Sequence, residues 1–164
     1  MKHTNESITR MIRRIAGDTG VFNSAELETL DEILAEYIAG PDRDYSLVTV
    51  TEESEIAGFI LYGRTPFTRN GWDLYWLAVD PEVHGRGVGR RLMGIFEEQL
   101  RSVSPDLPVV RIETSSRDEY TSARNLYLKC GYYHAGRIDN FYAPGDSLMI
   151  YGKEIGTDVS KQAR

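Results

Sequence analysis

Apolar residues recur along the chain with two periods, and the switches between them outline the elements. Residues 8–15 carry apolar side chains at Ile8, Met11 or Ile12, and Ile15, and read as a loosely alternating first strand. It ends at the turn residues Gly17-Asp18-Thr19-Gly20 and is expected at or near a sheet edge. Asn23, followed three residues later by Glu26, opens a helix like a capping box, and Leu27, Leu30, Ile33, Leu34, Tyr37 and Ile38 repeat at helical spacing up to Gly40-Pro41. Residues 45–51 and 56–62 are β-branched and aromatic runs separated by Glu52-Glu53-Ser54-Glu55, which predicts a hairpin, with residues 72–79 as the next strand. A helix over 88–101, a strand over 109–114, a helix over 121–130 and strands over 132–138 and 147–153 follow. The order β-α-β-β-β-α-β-α-β-β predicts an α+β fold: a central mixed sheet of about seven strands with helices on both faces, in three layers.

Composition narrows the class without choosing a function. At 164 residues the chain suits one domain, expected over 1–155, with a polar tail over 156–164. Hydrophobic residues are 41% and charged residues 27%, the mix of an ordinary globular protein. No apolar run approaches the roughly 20 residues of a transmembrane helix, and the N-terminus lacks the apolar stretch of a secretory signal, so a cytoplasmic protein without a membrane partner is expected. Cys130 is the single cysteine and the three histidines are scattered, so neither an internal disulfide nor a metal site is expected. Cys130 reads as a small apolar residue and not as a nucleophile. A net charge of −6 argues against nucleic acid and mildly favours a cationic acceptor such as an amine. Arg10, Arg13 and Arg14 read as a solvated strand face, and the sequence leaves room for a homodimer.

The candidate chemistry starts at Val79-Asp80-Pro81-Glu82-Val83-His84-Gly85-Arg86-Gly87-Val88-Gly89, a glycine-rich turn between a strand and a helix. Glycines at 85, 87 and 89 permit positive φ and close approach of an anion, toward which the unpaired N–H groups of the helix's first turn point. A diphosphate suits that setting. The dinucleotide pattern would need glycine at position 90 or 92, where Arg90 and Leu92 stand, and the Walker pattern fails because Gly94 is followed by Ile95 and Phe96. What remains, His84-Gly85-Arg86-Gly87-Val88-Gly89, resembles the Arg/Gln-x-x-Gly-x-Gly/Ala signature of the GNAT acetyltransferases, with His84 at its first letter. Ala123, Leu126, Tyr127 and Gly131, with Tyr132 in place of phenylalanine, resemble the second signature of that family, Asn-x-x-Ala-x-x-Leu-Tyr-x-x-x-Gly-Phe. Tyr120 stands where asparagine is usual, so the asparagine's role is not carried over.

The resemblance implies a splayed sheet in which the strands containing Leu77 and Val109 part around a pantetheine arm. Main-chain groups of Leu77, Ala78 and Val79 would pair with its amides, and Gly85, Arg86, Gly87, Val88, Gly89 and Arg90 would hold the diphosphate of acetyl-CoA. Arg91 is a further candidate partner for its phosphates. The implied activity is direct transfer of an acetyl group from acetyl-CoA to a primary amine, on a protein N-terminus or a small molecule. The alternative is a catalytically silent CoA-binding module of the same fold. Tyr127 lies where family members carry the tyrosine that protonates the thiolate, a task suited to a phenol with an ordinary pKa of about 10. A core aromatic on its helix stripe is the competing reading. Glu113 matches the glutamate that takes the amine proton in the branch acetylating protein N-termini. It is equally readable as an outward strand residue paired with Arg111 or Arg117, and Asp73 is the second candidate base. The segment Asp139-Asn140-Phe141-Tyr142-Ala143-Pro144-Gly145-Asp146 resembles the Tyr-rich loop lining the acceptor site in that branch, which nominates Tyr142 as an acceptor contact.

Overall fold

The computed structural model describes residues 5–40, 44–104 and 106–156, so all of the expected tail but Gly156 lies outside the described residues. The chain opens with a helix, α1 (Asn5–Asp18), and not with the expected strand. Ile8, Met11, Ile12 and Ile15 are spaced three and four apart, which is one helical face and not a strand's alternation. That face buries Ile12, Ile15 and Ala16 completely. Arg10, Arg13 and Arg14 therefore sit on a helix: Arg13 pairs with Asp31 at 2.8 Å and Arg14 with Asp80 at 3.1 Å. Helix α2 (Ser24–Ala39) starts at the expected capping box, with the Glu26 N–H donating to Asn23 Oδ1 (2.9 Å) and the Asn23 N–H to Glu26 Oε2 (2.8 Å).

The hairpin β1 (Ser46–Glu52) and β2 (Glu55–Arg64) follows, then β3 (Gly71–Val79), α3 (Val88–Val103), β4 (Val109–Ser115), α4 (Thr121–Lys129), β5 (Tyr133–Ala143) and β6 (Asp146–Glu154). Among the described residues the sheet has six strands, ordered β1-β2-β3-β4-β6-β5; the seventh strand expected from the sequence is the segment that forms α1. Among the described residues β3 and β4, joined by the crossover helix α3, are the one parallel pair; β4 and β5 are also joined through a helix, α4, but β6 lies between them and pairs antiparallel with both. Side chains of β2 point alternately to two cores. Ile56, Phe59 and Leu61 meet α1 and α2, while Ala57, Ile60 and Tyr62 meet α3 and α4, and each large side chain buried this way contributes roughly 1.5–3 kcal/mol. No described helix is long and apolar enough to cross a membrane.

Candidate active site

The site follows from an interruption in the sheet. β3 and β4 are paired from Gly71–Val109 to Leu74–Ile112 and no further, although both strands continue. The cause lies on the other edge of β3. Its register with β2 steps from Trp76 opposite Leu61 to Leu74 opposite Tyr62, leaving Tyr75 as an extra residue. A bulge bends its strand, and residues 75–79 turn away from β4. The resulting V holds a cleft of about 530 Å³, in the range of small-molecule sites, lined by Leu77, Ala78 and Val79 on one wall and Glu113 and Thr114 on the other.

Ladder alternation sorts the three β3 residues implied by the resemblance. The Asp80 N–H donates to the Ala57 carbonyl (2.8 Å), so Asp80 and Ala78 turn their main-chain groups to β2 while Leu77 and Val79 turn theirs into the cleft. Ala78 contributes a buried side chain on the α1–α2 face. The Val79 carbonyl is taken by His84, whose Nε2 lies 3.0 Å away and donates to it. The residue at the irregular first letter of the loop signature thus straps the loop back onto its strand.

Beyond that strap the backbone is open. Gly85 and Gly87 have φ of +80° and +76°, the left-handed region, and nothing within 4 Å occupies the space where a Cβ would stand. Gly87 caps α3 without a side-chain bond, and the first turn of the helix carries no acidic residue. The first intrahelical bond runs from the Arg91 N–H to the Gly87 carbonyl (3.1 Å), which leaves the N–H groups of Val88, Gly89 and Arg90 without an intrahelical acceptor at the positive end of the dipole. This donor set, free of carboxylates and of side-chain bulk, fits a diphosphate. Arg86 and Arg91 are turned instead to the hairpin, to Glu53 (3.8 Å) and Glu52 respectively, while Arg90 lines the cleft. The two signature segments meet physically: a Cβ on Gly89 would lie 3.0 Å from Leu126 Cδ2, so α3 and α4 approach closely only because residue 89 has none.

Helix α4 delivers Tyr127 to the cleft. Gly131, at φ +84°, ends the helix, and the Lys153 ammonium donates to the Cys130 carbonyl (2.7 Å) and to the buried Glu97 carboxylate (2.7 and 2.9 Å), pinning α4 to α3 and β6. Tyr127 is 4% exposed, beside Tyr151 and Tyr132 with ring centroids at 5.8 and 6.3 Å. It is a core aromatic and a cleft-lining residue at once. Burial drives its phenol far above the ordinary value, so it stays protonated. Burial likewise raises the Cys130 thiol, which keeps it in the poorly nucleophilic form.

Glu113 follows the last β3–β4 pair, on the α1–α2 face of the sheet, half-exposed and 3.5 Å from Arg111 Nη1. Asp73, the second candidate base, is buried at the closed end of the V and holds Arg111 through two bonds of 2.8 and 3.2 Å. Tyr142 lies at the end of β5, so the segment read as a loop is the end of that strand and the hairpin turn to β6. Its phenol is raised by burial and then by the nearby Glu113, Asp146 and Glu26 carboxylates. Sequence reasoning did not nominate Phe22 and Trp76, which line the same region with ring centroids 6.3 Å apart. Phe22 had a local signal, being the apolar residue just before the Asn23 cap. Tyr120 packs beside Phe22 (6.5 Å), lies under the Arg117 guanidinium (5.4 Å) and sets its hydroxyl 3.4 Å from Glu26 Oε1.

The His84 strap is testable. Removing one such hydrogen bond costs about 0.5–1.5 kcal/mol, so His84→Ala is expected to weaken acetyl-CoA binding about two- to tenfold by calorimetry, and His84→Gln to retain most of it.

A sheet split between two parallel strands, with a glycine loop and an open helix start at its mouth, is a site for a ligand that carries a diphosphate. The acetyltransferase (GNAT) family matches residues 10–132, and the chain belongs to that family, whose members are N-acetyltransferases using acetyl-CoA. The chain is 27% identical over 150 residues to the peptidyl-lysine N-acetyltransferase YjaB of Salmonella typhimurium, covering 89% of this chain and 90% of that one. It is 24% identical over 98 residues to the S-(2-succino)cysteine N-acetyltransferase of Bacillus subtilis, a match spanning 60% of this chain and 57% of the relative's length. Among solved structures, a candidate GNAT-family acetyltransferase from Desulfovibrio desulfuricans superimposes with a TM-score of 0.84 at 31% identity, over 90% of this chain and 92% of that one.

Proposed function

We propose that this protein transfers the acetyl group of acetyl-CoA directly to a primary amine, on a small molecule or a peptide. The observation that carries this reading is that Glu113 and Tyr127 line one cleft from opposite faces of the sheet, at the point where β3 and β4 part. Acetyl-CoA supplies an activated acyl group and a thiolate leaving group. The chain's residues supply the rest. The Leu77 and Val79 main chain and the loop from Gly85 to Arg90 bind and orient the donor, which turns a bimolecular encounter into a positioned one. As the amine nitrogen bonds to the carbonyl carbon and the carbon–sulfur bond breaks, Glu113 accepts the proton leaving nitrogen and the Tyr127 phenol gives one to sulfur. Asp73 keeps Arg111 in place beside Glu113 and does not exchange protons.

Initial rates with both substrates varied test direct transfer: the double-reciprocal lines are expected to intersect, whereas parallel lines would place an acyl-enzyme on the path. Tyr127→Phe is expected to lower kcat about 100-fold, the lower end of what a positioned general acid contributes, while leaving the Kd for acetyl-CoA unchanged. Equal kcat in that variant would remove Tyr127 from the proton path.

A further inference from the structure

A further pocket of about 520 Å³ opens on the α1–α2 face of the sheet and shares seven lining residues with the donor cleft, Phe22, Tyr75, Trp76, Glu113 and Tyr120 among them. Its walls come from the α1–α2 junction, the bulged part of β3, the start of α4 and the β5–β6 hairpin. Five of the sixteen residues lining it are aromatic, against 10% of the chain, and these are Phe22, Tyr75, Trp76, Tyr120 and Tyr142. Both arginines in it are committed. Arg111 is held by two bonds to Asp73, and Arg117 lies 3.5 Å from Asp146 and over the Tyr120 ring. Against these two arginines stand four carboxylates, Glu26, Asp73, Glu113 and Asp146, so the pocket carries an excess of negative charge. An acceptor carboxylate would therefore meet negative charge with no unengaged cation, whereas an ammonium meets carboxylates and ring faces, and an aryl group meets aromatic walls.

We propose that this pocket selects a primary amine attached through a short linker to an aromatic ring, with the amine at Glu113 and the ring against the wall formed by Phe22, Tyr120 and Tyr142. This rests on the acetyl-transfer reading above and adds the substrate class to it. Tyr120, at the position where the family signature has asparagine, becomes a wall of the acceptor pocket. Its phenol and that of Tyr142 are raised by burial and stay neutral, so both present uncharged ring surface, with the Tyr120 hydroxyl held by Glu26. Tyr142 is half-exposed on the hairpin, so replacing it leaves the core untouched.

The test compares kcat/KM for 2-phenylethylamine, n-butylamine, spermidine and glutamate by thiol release from acetyl-CoA. Burial of the ring is expected to favour 2-phenylethylamine over n-butylamine by about 10- to 100-fold, with glutamate the poorest. Tyr142→Ala is expected to shrink the aryl-to-alkyl ratio about fivefold or more, mainly through KM for the aryl amine, and Tyr142→Phe to preserve it. A ratio near one, a preference for spermidine or glutamate, or a ratio unmoved by Tyr142→Ala overturns the aryl assignment while leaving acetyl transfer standing. No thiol release with any of the four, or with a peptide amine, overturns both.

Discussion

Glu113→Gln is expected to lower kcat/KM for the amine by about 10²- to 10⁴-fold, the range over which a positioned general base contributes. Glutamine keeps the shape of the side chain and its contact with Arg111 but cannot accept the proton that the amine must lose. The change should be kinetic and not structural. The Glu113–Arg111 pair is long, at 3.5 Å, and both side chains are about half-exposed, so losing it costs at most a few tenths of a kcal/mol after solvent screening. Arg111 itself stays fixed by Asp73. Binding of acetyl-CoA measured by calorimetry should be unchanged, and thermal unfolding should occur at nearly the wild-type temperature. A variant with wild-type kcat/KM would mean that the proton leaves by another route.

Gly87→Glu is expected to raise the Kd for acetyl-CoA at least about 100-fold. Two effects act at this residue, and they separate. At φ +76° any residue with a Cβ costs about 1–2 kcal/mol, a strain shared by the free and the bound protein, so it lowers the melting temperature without changing affinity much. The new carboxylate is different, because it extends into the open space before the α3 N-terminus, where it occupies the anion's position and satisfies the Val88 to Arg90 donors itself. Gly87→Ala carries the strain without the charge and should bind acetyl-CoA within a few-fold of wild type. Similar affinities for the alanine and glutamate variants would contradict the assignment of this loop to a diphosphate.

What the sequence made legible follows a physical rule: features set within one turn or one strand could be read, and features set by the meeting of elements could not. The Asn23–Glu26 capping box, the Glu52–Glu55 hairpin turn and the glycine-rich entry to α3 are local, and their element boundaries agree with the structure to within about two residues. The first helix was legible in principle. Its Ile8, Met11, Ile12 and Ile15 spacing is helical, and the strand reading came from treating a three-four repeat as loose alternation. The full length of β5 was not legible, because Asn140, with φ of +55°, bulges the strand where a turn was expected. The opening of the V depends on one extra residue, Tyr75, in a ladder with β2, and no pattern within β3 announces it. Nor does spacing reveal that Asp73 is tied to Arg111, that Arg91 turns to Glu52, or that His84 reaches the Val79 carbonyl. Each is a contact between segments distant in the chain or across a turn.

In the proposed reaction the cleft between β3 and β4 binds acetyl-CoA and gives up its acetyl group to an amine. The most direct measurement mixes the wild-type protein with acetyl-CoA at a concentration shown by calorimetry to saturate it, adds 2-phenylethylamine, and follows free thiol and N-acetylated product together. Thiol and acetylated amine are expected in equal amounts, appearing only when both substrates are present, and lost in Gly87→Glu. Saturable binding of acetyl-CoA with no thiol released on addition of this amine, an alkylamine or a peptide would contradict the proposed reaction and mark the chain as a silent CoA-binding module.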